Sequence, residues 1–153
     1  MFPRVAILGI GAMGEALAAG LLAAGWAPDR VVAAARRETR RAEVERRLGI
    51  RCSLDVREAV DGAEIVVVAV KPRDVAGLVS VLRGALHPSQ VLVSLAAGIP
   101  TSTYEQGAGR DPGGQGHAQH AGPGRRGGHG DRPRIVGGTG RRREGAQGAG
   151  GGR

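Results

Sequence analysis

The chain has few of several residue types, and each scarcity narrows the range of possible functions. It contains one cysteine, Cys52, in 153 residues, which excludes an internal disulfide framework and predicts a reducing, cytoplasmic location. Its longest strongly apolar run, residues 65–70, is far too short to span a membrane. We therefore expect no membrane partner. We also expect Cys52 to be a small core residue rather than a reactive thiol.

The composition changes sharply near Gln106. Residues 107–153 hold 18 of the 28 glycines and nine arginines against three acids, so most of the net charge of +8 belongs to this part. Ile135 and Val136 are its only large apolar side chains, too few to offset the entropy cost of ordering the segment. We therefore predict a folded domain over 1–106, rich in Val, Ile, Leu and Ala, followed by a disordered Gly/Arg-rich tail.

The basic tail raises two functional alternatives. A metal site is not expected, because the tail's histidines have no cysteine partners and no ordered scaffold; they are His117, His120 and His129. The positive charge would suit nucleic acid, yet residues 107–153 contain no aromatic side chain to stack on bases. A nucleic-acid partner is therefore not the favoured prediction, although a nucleotide-binding domain with a nucleic-acid-binding tail stays as an alternative.

Apolar, β-branched runs alternate with helical patterns through the first 106 residues. The runs typical of buried strands lie at 4–10, 30–35, 50–53, 64–70 and 90–96. Strands that alternate with helices indicate β-α-β units and a parallel sheet. The predicted fold class is therefore α/β, an incomplete Rossmann-like doubly wound parallel sheet.

A glycine pattern, G-x-G-x-x-G, follows the first strand directly and opens a helix. In this context Gly9 permits a tight turn, Gly11 lets the backbone approach a pyrophosphate, and Gly14 allows close packing of helix and strand. The alternative is a glycine turn without a ligand. We predict that this loop binds a dinucleotide through Gly9, Ile10, Gly11, Ala12, Met13 and Gly14.

The second strand ends in Arg36 and Arg37, where an NAD-binding site usually places an acid for the ribose hydroxyls. Guanidinium groups match phosphate oxygens bidentately, so the pair predicts NADP(H), recognised through its 2′-phosphate. The alternative is that both arginines only solvate the start of a basic helix.

Three segments together resemble the pyrroline-5-carboxylate reductases. They are AILGIGAMGEAL at 6–17, VVVAVKP at 66–72 and VLVSLAAGIP at 91–100. They stand in that family's order and spacing over about residues 3–106, and the pairing of the last two is the more specific signal. The resemblance implies NADPH-dependent reduction of 1-pyrroline-5-carboxylate to L-proline, with hydride passing from the cofactor to the C=N carbon.

The resemblance also implies which strand ends carry function. The cofactor would contact the end of the fourth strand at Ala69, Val70, Lys71 and Pro72. Lys71 could instead be an ordinary strand-end lysine, and Ser94 and Gly98 could serve only the turn after the fifth strand. A protonated imine is already electrophilic, so no catalytic side chain and no metal ligand is assigned. Related NADP-dependent reductases and β-hydroxyacid dehydrogenases share this half and stay as an alternative activity.

The family continues beyond this point in a way that residues 107–153 do not. Its next strand ends in a motif close to VVRAMPNTPALV, which contacts the nicotinamide, and a helical domain follows that dimerises and forms the substrate pocket. Glycine, arginine and histidine stand there instead. The resemblance therefore implies a homo-oligomer only for an intact enzyme, and it predicts that the chain as written is truncated and inactive.

The genetic code offers an explanation for the tail. When the codons of residues 111–125 are read from their second base, each admits only a few amino acids, and the series permits TPVVRAMPNTPALV. The codons of residues 125–138 likewise permit DEAAMAIAPGSSA. We therefore predict a frameshift, with one base gained or two lost between the codons of Glu105 and Asp111. A sequencing error and a genuine pseudogene both stay open as its origin.

Overall fold

The computed structural model describes residues 1–107 and 133–137, which form one parallel sheet with helices packed on it. The strands are β1 (Val5–Leu8), β2 (Val31–Ala34), β3 (Arg51–Ser53), β4 (Ile65–Val68), β5 (Val91–Ser94) and β6 (Arg134–Gly137). Their order in the sheet is β3-β2-β1-β4-β5-β6, and every neighbouring pair is parallel. This is the strand order of the doubly wound dinucleotide-binding fold, so the predicted fold class is confirmed.

In the described part of the chain, five α-helices connect and cover the strands. They are α1 (Ala12–Ala23), α2 (Glu38–Leu48), α3 (Val56–Val60), α4 (Val75–Leu82) and α5 (Thr101–Gly107). The sequence predicts a charged helix over ETRRAEVERRL that ends at Gly49, and α2 has these bounds, because Gly49 takes the left-handed conformation that ends it, with φ +67°. No helix of the described part is long and apolar enough to cross a membrane.

The segment after β4 differs from its prediction. The sequence predicts one helix that starts at Pro72 and continues over 73–86, whereas the structure has a 3-10 turn, Pro72–Asp74, before α4. The Asp74 N–H donates to the Lys71 carbonyl at 2.8 Å, an i+3 bond that tightens this turn. Asp74 then stands at the N-cap of α4 without capping it, because its carboxylate pairs with Arg36 instead.

The spacing of Asp55 and Glu58 in the sequence predicts a capping box, and the start of α3 shows half of it. Asp55 accepts from the Arg57 N–H at 2.8 Å, as an N-cap residue does. Glu58 does not return the bond: it accepts from the Ser53 hydroxyl at 2.6 Å and pairs with Arg51. The Ser53 hydroxyl instead accepts from the Asp55 N–H at 3.0 Å, so a β3 residue completes the cap.

The sheet separates two apolar clusters. Leu8, Val66 and Leu92 face the side covered by α3, α4 and α5. Ile7 and Val31 face the side that holds α1 and α2. Because successive residues of a strand point to opposite faces, the continuously apolar strands supply both clusters. Because both faces of the sheet are covered, the candidate site lies at the ends of the strands.

Cys52 belongs to the cluster under α2, as predicted. Its residue is 3 % exposed, and burial raises the pKa of its thiol to about 11, with the negative charge of Glu45 adding to the effect. The thiolate is therefore scarce at neutral pH, and the prediction of a core residue rather than a reactive thiol is confirmed.

The structure departs from the predicted disorder of the tail at residues 134–137, where β6 pairs with β5 in the register Leu92–Ile135 and Val93–Val136. Ile135 is half-buried against the core, while Val136 is 51 % exposed. These two are the tail's only large apolar residues, and β-branched side chains suit a sheet edge. The predictions on the histidines and on the out-of-frame codons of 111–125 fall on residues outside the described part.

Candidate cofactor-binding site

The glycine loop joins β1 to α1 by a tight turn. Gly9 has φ +96°, a conformation that favours glycine, and its N–H donates to the Ala34 carbonyl at 3.3 Å. A Cβ atom at Gly9 would come within 2.7 Å of Val70 Cγ1 and 2.9 Å of the Val70 nitrogen. Gly9 therefore lets the loop cross directly over the end of β4.

Gly14 lets helix α1 begin directly against this loop. A Cβ at Gly14 would lie far inside van der Waals contact with the Gly9 carbonyl oxygen, and it would also meet the Gly9 carbonyl carbon at 3.1 Å. These are backbone atoms, which cannot move aside as a flexible side chain can. Gly14 therefore has the packing role that the sequence pattern predicts for it.

Gly11 provides the opening that an anion would need. It is the N-cap of α1, it supplies no capping side chain, and a Cβ built on it meets nothing within 4 Å. The first N–H groups of a helix have no partner within the helix, and they attract anions together with the helix dipole. The open backbone at Gly11 and the uncapped start of α1 therefore fit a pyrophosphate.

A cleft of about 420 Å³ opens beside the loop, at the carboxyl ends of β1, β2 and β4. Most of the predicted site residues line it: Gly9, Ile10, Gly11, Arg36, Arg37, Ala69, Val70 and Lys71. Four predicted residues do not, namely Ala12, Met13, Gly14 and Pro72. In this fold β1 and β4 flank the point where the strand order reverses, which is where ligands bind.

Two positive side chains stand at the mouth of the cleft where β2 ends. Arg36 pairs with Asp74 at 3.1 Å, but its own side chain remains 72 % exposed. Arg37 is exposed too and is the N-cap of α2. Guanidinium groups in this position can meet a phosphate that enters from solvent.

The sequence did not reveal the role of Arg40, which lines the same cleft. Its Nε donates to the Ile10 carbonyl at 2.9 Å and its Nη1 to Glu43 at 2.9 Å, while Nη2 pairs with Glu15. The hydrogen bonds to Glu43 and then to Glu15 raise the pKa of Arg40. A usable signal was present: Glu15, in the first turn of α1, is an acid beside a predicted anion site.

A second residue pair that the sequence did not reveal joins the end of β5 to α5. The hydroxyls of Ser94 and Tyr104 lie 2.6 Å apart, and both residues are buried. Ser94 also accepts from the Ala96 N–H at 3.2 Å, and Gly98 has φ +74°. Neither Ser94 nor Gly98 lines the cleft, so their contacts are those of turn residues that tie β5 to α5.

Comparison with known proteins agrees with this geometry. Residues 4–98 match the family described as NADP oxidoreductase, coenzyme F420-dependent. The chain belongs to this family. It is 36 % identical, across 107 residues, to the pyrroline-5-carboxylate reductase of Corynebacterium melassecola, covering 68 % of this chain and 40 % of that one. The corresponding enzyme of Mycobacterium leprae is 41 % identical over 106 residues, covering 66 % and 35 %.

A solved structure also supports the similarity of this chain to the pyrroline-5-carboxylate reductases. The pyrroline-5-carboxylate reductase of Coxiella burnetii superposes with a TM-score of 0.67 at 27 % identity, covering 70 % of this chain and 40 % of that one. The resemblance predicted from the sequence motifs is thus confirmed. The chain spans about two fifths of the length of the curated relatives it matches.

Proposed function

We propose that this chain is the cofactor-binding part of a pyrroline-5-carboxylate reductase and that its cleft binds NADP(H). The observation that carries the proposal is the cleft at the ends of β1, β2 and β4, with an uncapped helix start on one wall and the exposed Arg36 and Arg37 where β2 ends. The relatives named pyrroline-5-carboxylate reductase support the substrate, a small cyclic imine, and the product, L-proline.

In this proposal, different walls of the cleft bind different parts of the cofactor. Gly9, Gly11 and the first turn of α1 receive the pyrophosphate, since that turn offers free N–H groups and no side chain stands before Gly11. Ala12 and Met13 are exposed on the same turn and lie along the path of the dinucleotide. Ile10 contributes through its backbone, because its side chain is buried.

The end of β4 holds the nicotinamide half in this proposal. Ala69, Val70 and Lys71 line the cleft, and Pro72 fixes the direction of the chain as it leaves the strand. The bound cofactor supplies the hydride for the C=N carbon. The protein's own contribution at this edge is to orient the ring and to exclude water from one side of it. Substrate contacts would come from the part of the relatives that the match does not cover.

Recognition of the 2′-phosphate falls to Arg36 and Arg37. We predict that replacing both by glutamine raises the Kd for NADPH by about 10- to 100-fold, because a hydrogen bond to a charged group contributes about 1.5–3 kcal/mol and 1.4 kcal/mol is tenfold. The Kd for NADH, which lacks that phosphate, is expected to stay within about twofold. Calorimetric titration of the 153-residue chain with both dinucleotides measures the difference.

The matched control for that experiment is the double variant Arg46→Gln/Arg57→Gln. Both are exposed arginines, on α2 and α3, that do not line the cleft, so their loss removes the same two charges from other places. An equal loss of NADPH and NADH affinity in the variant without Arg36 and Arg37 would contradict the assignment, and so would the same loss in the control. Either result would support the alternative that Arg36 and Arg37 only solvate the start of α2.

The frameshift and the domain boundary belong to the same proposal. We propose that 1–106 is the in-frame domain and that 107–153 is an out-of-frame reading of the family's second half. The codon reading that permits VVRAMPNTPALV supports it. The poor burial of β6 supports it too, since Val136 and Gly137 are exposed at a position beside β5 that the family fills with a strand. The chain as written would then bind cofactor without reducing the imine.

A further inference from the structure

Glu15 puts a negative charge next to the place proposed for the pyrophosphate. It lies in the first turn of α1, one residue after Gly14, and its side chain is only 18 % exposed. An acid in this turn is favourable while no ligand is bound, because it complements the helix dipole. A bound pyrophosphate reverses the sign of that effect, because two like charges in a partly buried place repel each other. The site therefore needs a cation that holds Glu15.

Two arginines of α2 meet Glu15, and one of them also touches the loop. Arg47 pairs with it at 2.7 Å, and Arg40 pairs with it through Nη2. Arg40 alone continues to the loop, where its Nε donates to the Ile10 carbonyl at 2.9 Å, and its Nη1 donates to Glu43. The guanidinium is thus held on three sides, with its donors directed at protein acceptors.

The Ile10 carbonyl is the second group that Arg40 holds in place. It lies between Gly9 and Gly11, the two residues that leave the loop backbone free to turn. A peptide that rotated there would present an oxygen, rather than an N–H, to the pyrophosphate. The bond from Arg40 Nε keeps that oxygen engaged with α2.

We propose that Arg40 is a positioning residue for the dinucleotide: it neutralises Glu15 and holds the Ile10 carbonyl, so that the pyrophosphate meets donors only. This inference rests on the proposed binding of NADP(H). It separates Arg40 from Arg36 and Arg37 by function, since the pyrophosphate is common to NADPH and NADH whereas the 2′-phosphate is not.

The test replaces Arg40 by glutamine and by lysine in the full chain and titrates each variant with NADPH and with NADH. We expect Arg40→Gln to weaken both dinucleotides by a similar factor, about tenfold. Arg40→Lys should recover part of the loss, because an ammonium can still pair with Glu15 but cannot hold three acceptors in a planar fork. Arg41→Gln is the matched control, since Arg41 lies on the same helix and its ion pairs within residues 1–107 and 133–137 are with Glu38 and Glu45.

A second substitution separates positioning from simple structural support. Glu15→Gln in the Arg40→Gln background removes an acid that has lost one of its two arginine partners and keeps only Arg47 of the pair. We expect it to restore about half or more of the lost affinity, a coupling that a double-mutant cycle measures. A structural role alone would make the double variant worse than either single one. Loss of NADPH binding alone would make Arg40 a 2′-phosphate ligand and overturn the inference, as would unchanged affinity. A wild-type chain that binds neither dinucleotide would overturn the proposed function and this inference with it.

Discussion

Restoration of the reading frame after Glu105 is expected to turn a chain without measurable reductase activity into one that forms proline. The change is the removal of one base, or the addition of two, before the codon of Asp111. On the proposed frameshift, the restored reading encodes the segment that the relatives carry beyond the matched part, and enzymes accelerate their reactions by about a millionfold or more. We therefore expect the rate of proline formation to rise by at least about a thousandfold.

The measurement follows NADPH consumption and proline together, with 1-pyrroline-5-carboxylate as substrate. A gene shifted into the remaining third frame is the matched control, because it changes the same codons without restoring the family's motif. Proline formation by the 153-residue chain alone would contradict the account. So would a restored chain that folds and binds NADPH yet forms no proline.

Gly14→Ala is expected to be among the most damaging single substitutions in the described domain. The added Cβ would overlap the Gly9 carbonyl oxygen, so α1 and the phosphate loop would have to move apart. Overpacking that only backbone movement can relieve costs about 3 kcal/mol or more. We expect the free energy of unfolding to fall by that amount and NADPH binding to be lost.

Trp26 gives a direct measurement of this loss. It is the single tryptophan, it stacks on Phe2 with ring centroids 4.0 Å apart, and its Nε1 donates to the Pro3 carbonyl. It therefore reports folding from the end of the sheet opposite the cleft. Gly20→Ala is the control: the site is on the same helix, nothing lies within 4 Å of the new Cβ, and stability should rise by about 0.5–1 kcal/mol. Equal destabilisation by both would contradict the packing role of Gly14.

The strands and the phosphate loop could be predicted because their signals are local. A continuous apolar run such as residues 65–70, short and rich in β-branched side chains, is typical of a covered strand, and alternation with helices then indicates the parallel sheet. The roles of Gly9 and Gly14 could be predicted for a similar reason. They depend only on the conformation of one turn and on the packing of that turn against the helix that follows it.

The contacts that join distant segments could not be predicted in the same way. Arg40 and Glu15 are 25 residues apart, and their meeting depends on how α1 and α2 lie beside each other. Tyr104 could be recognised as buried only once α5 was placed against β5. The helix start at Pro72 was displaced by a single i+3 bond, an energy difference too small for composition to indicate.

The strand that pairs with the edge of β5 also could not be predicted from composition. The tail has too few apolar residues to fold by itself, yet Ile135 and Val136 find a partner strand that is already formed. Disorder predicted from composition refers to an isolated segment, whereas an exposed sheet edge offers unpaired N–H and C=O groups that a short strand can satisfy.

The most direct test of the account is an equilibrium titration of the 153-residue chain with NADPH and, separately, with NADH. The cleft and the exposed Arg36 and Arg37 at the end of β2 predict saturable binding of NADPH, tighter than that of NADH by at least about tenfold. A chain whose Trp26 fluorescence reports a folded domain but which binds neither dinucleotide, or which prefers NADH, would contradict it.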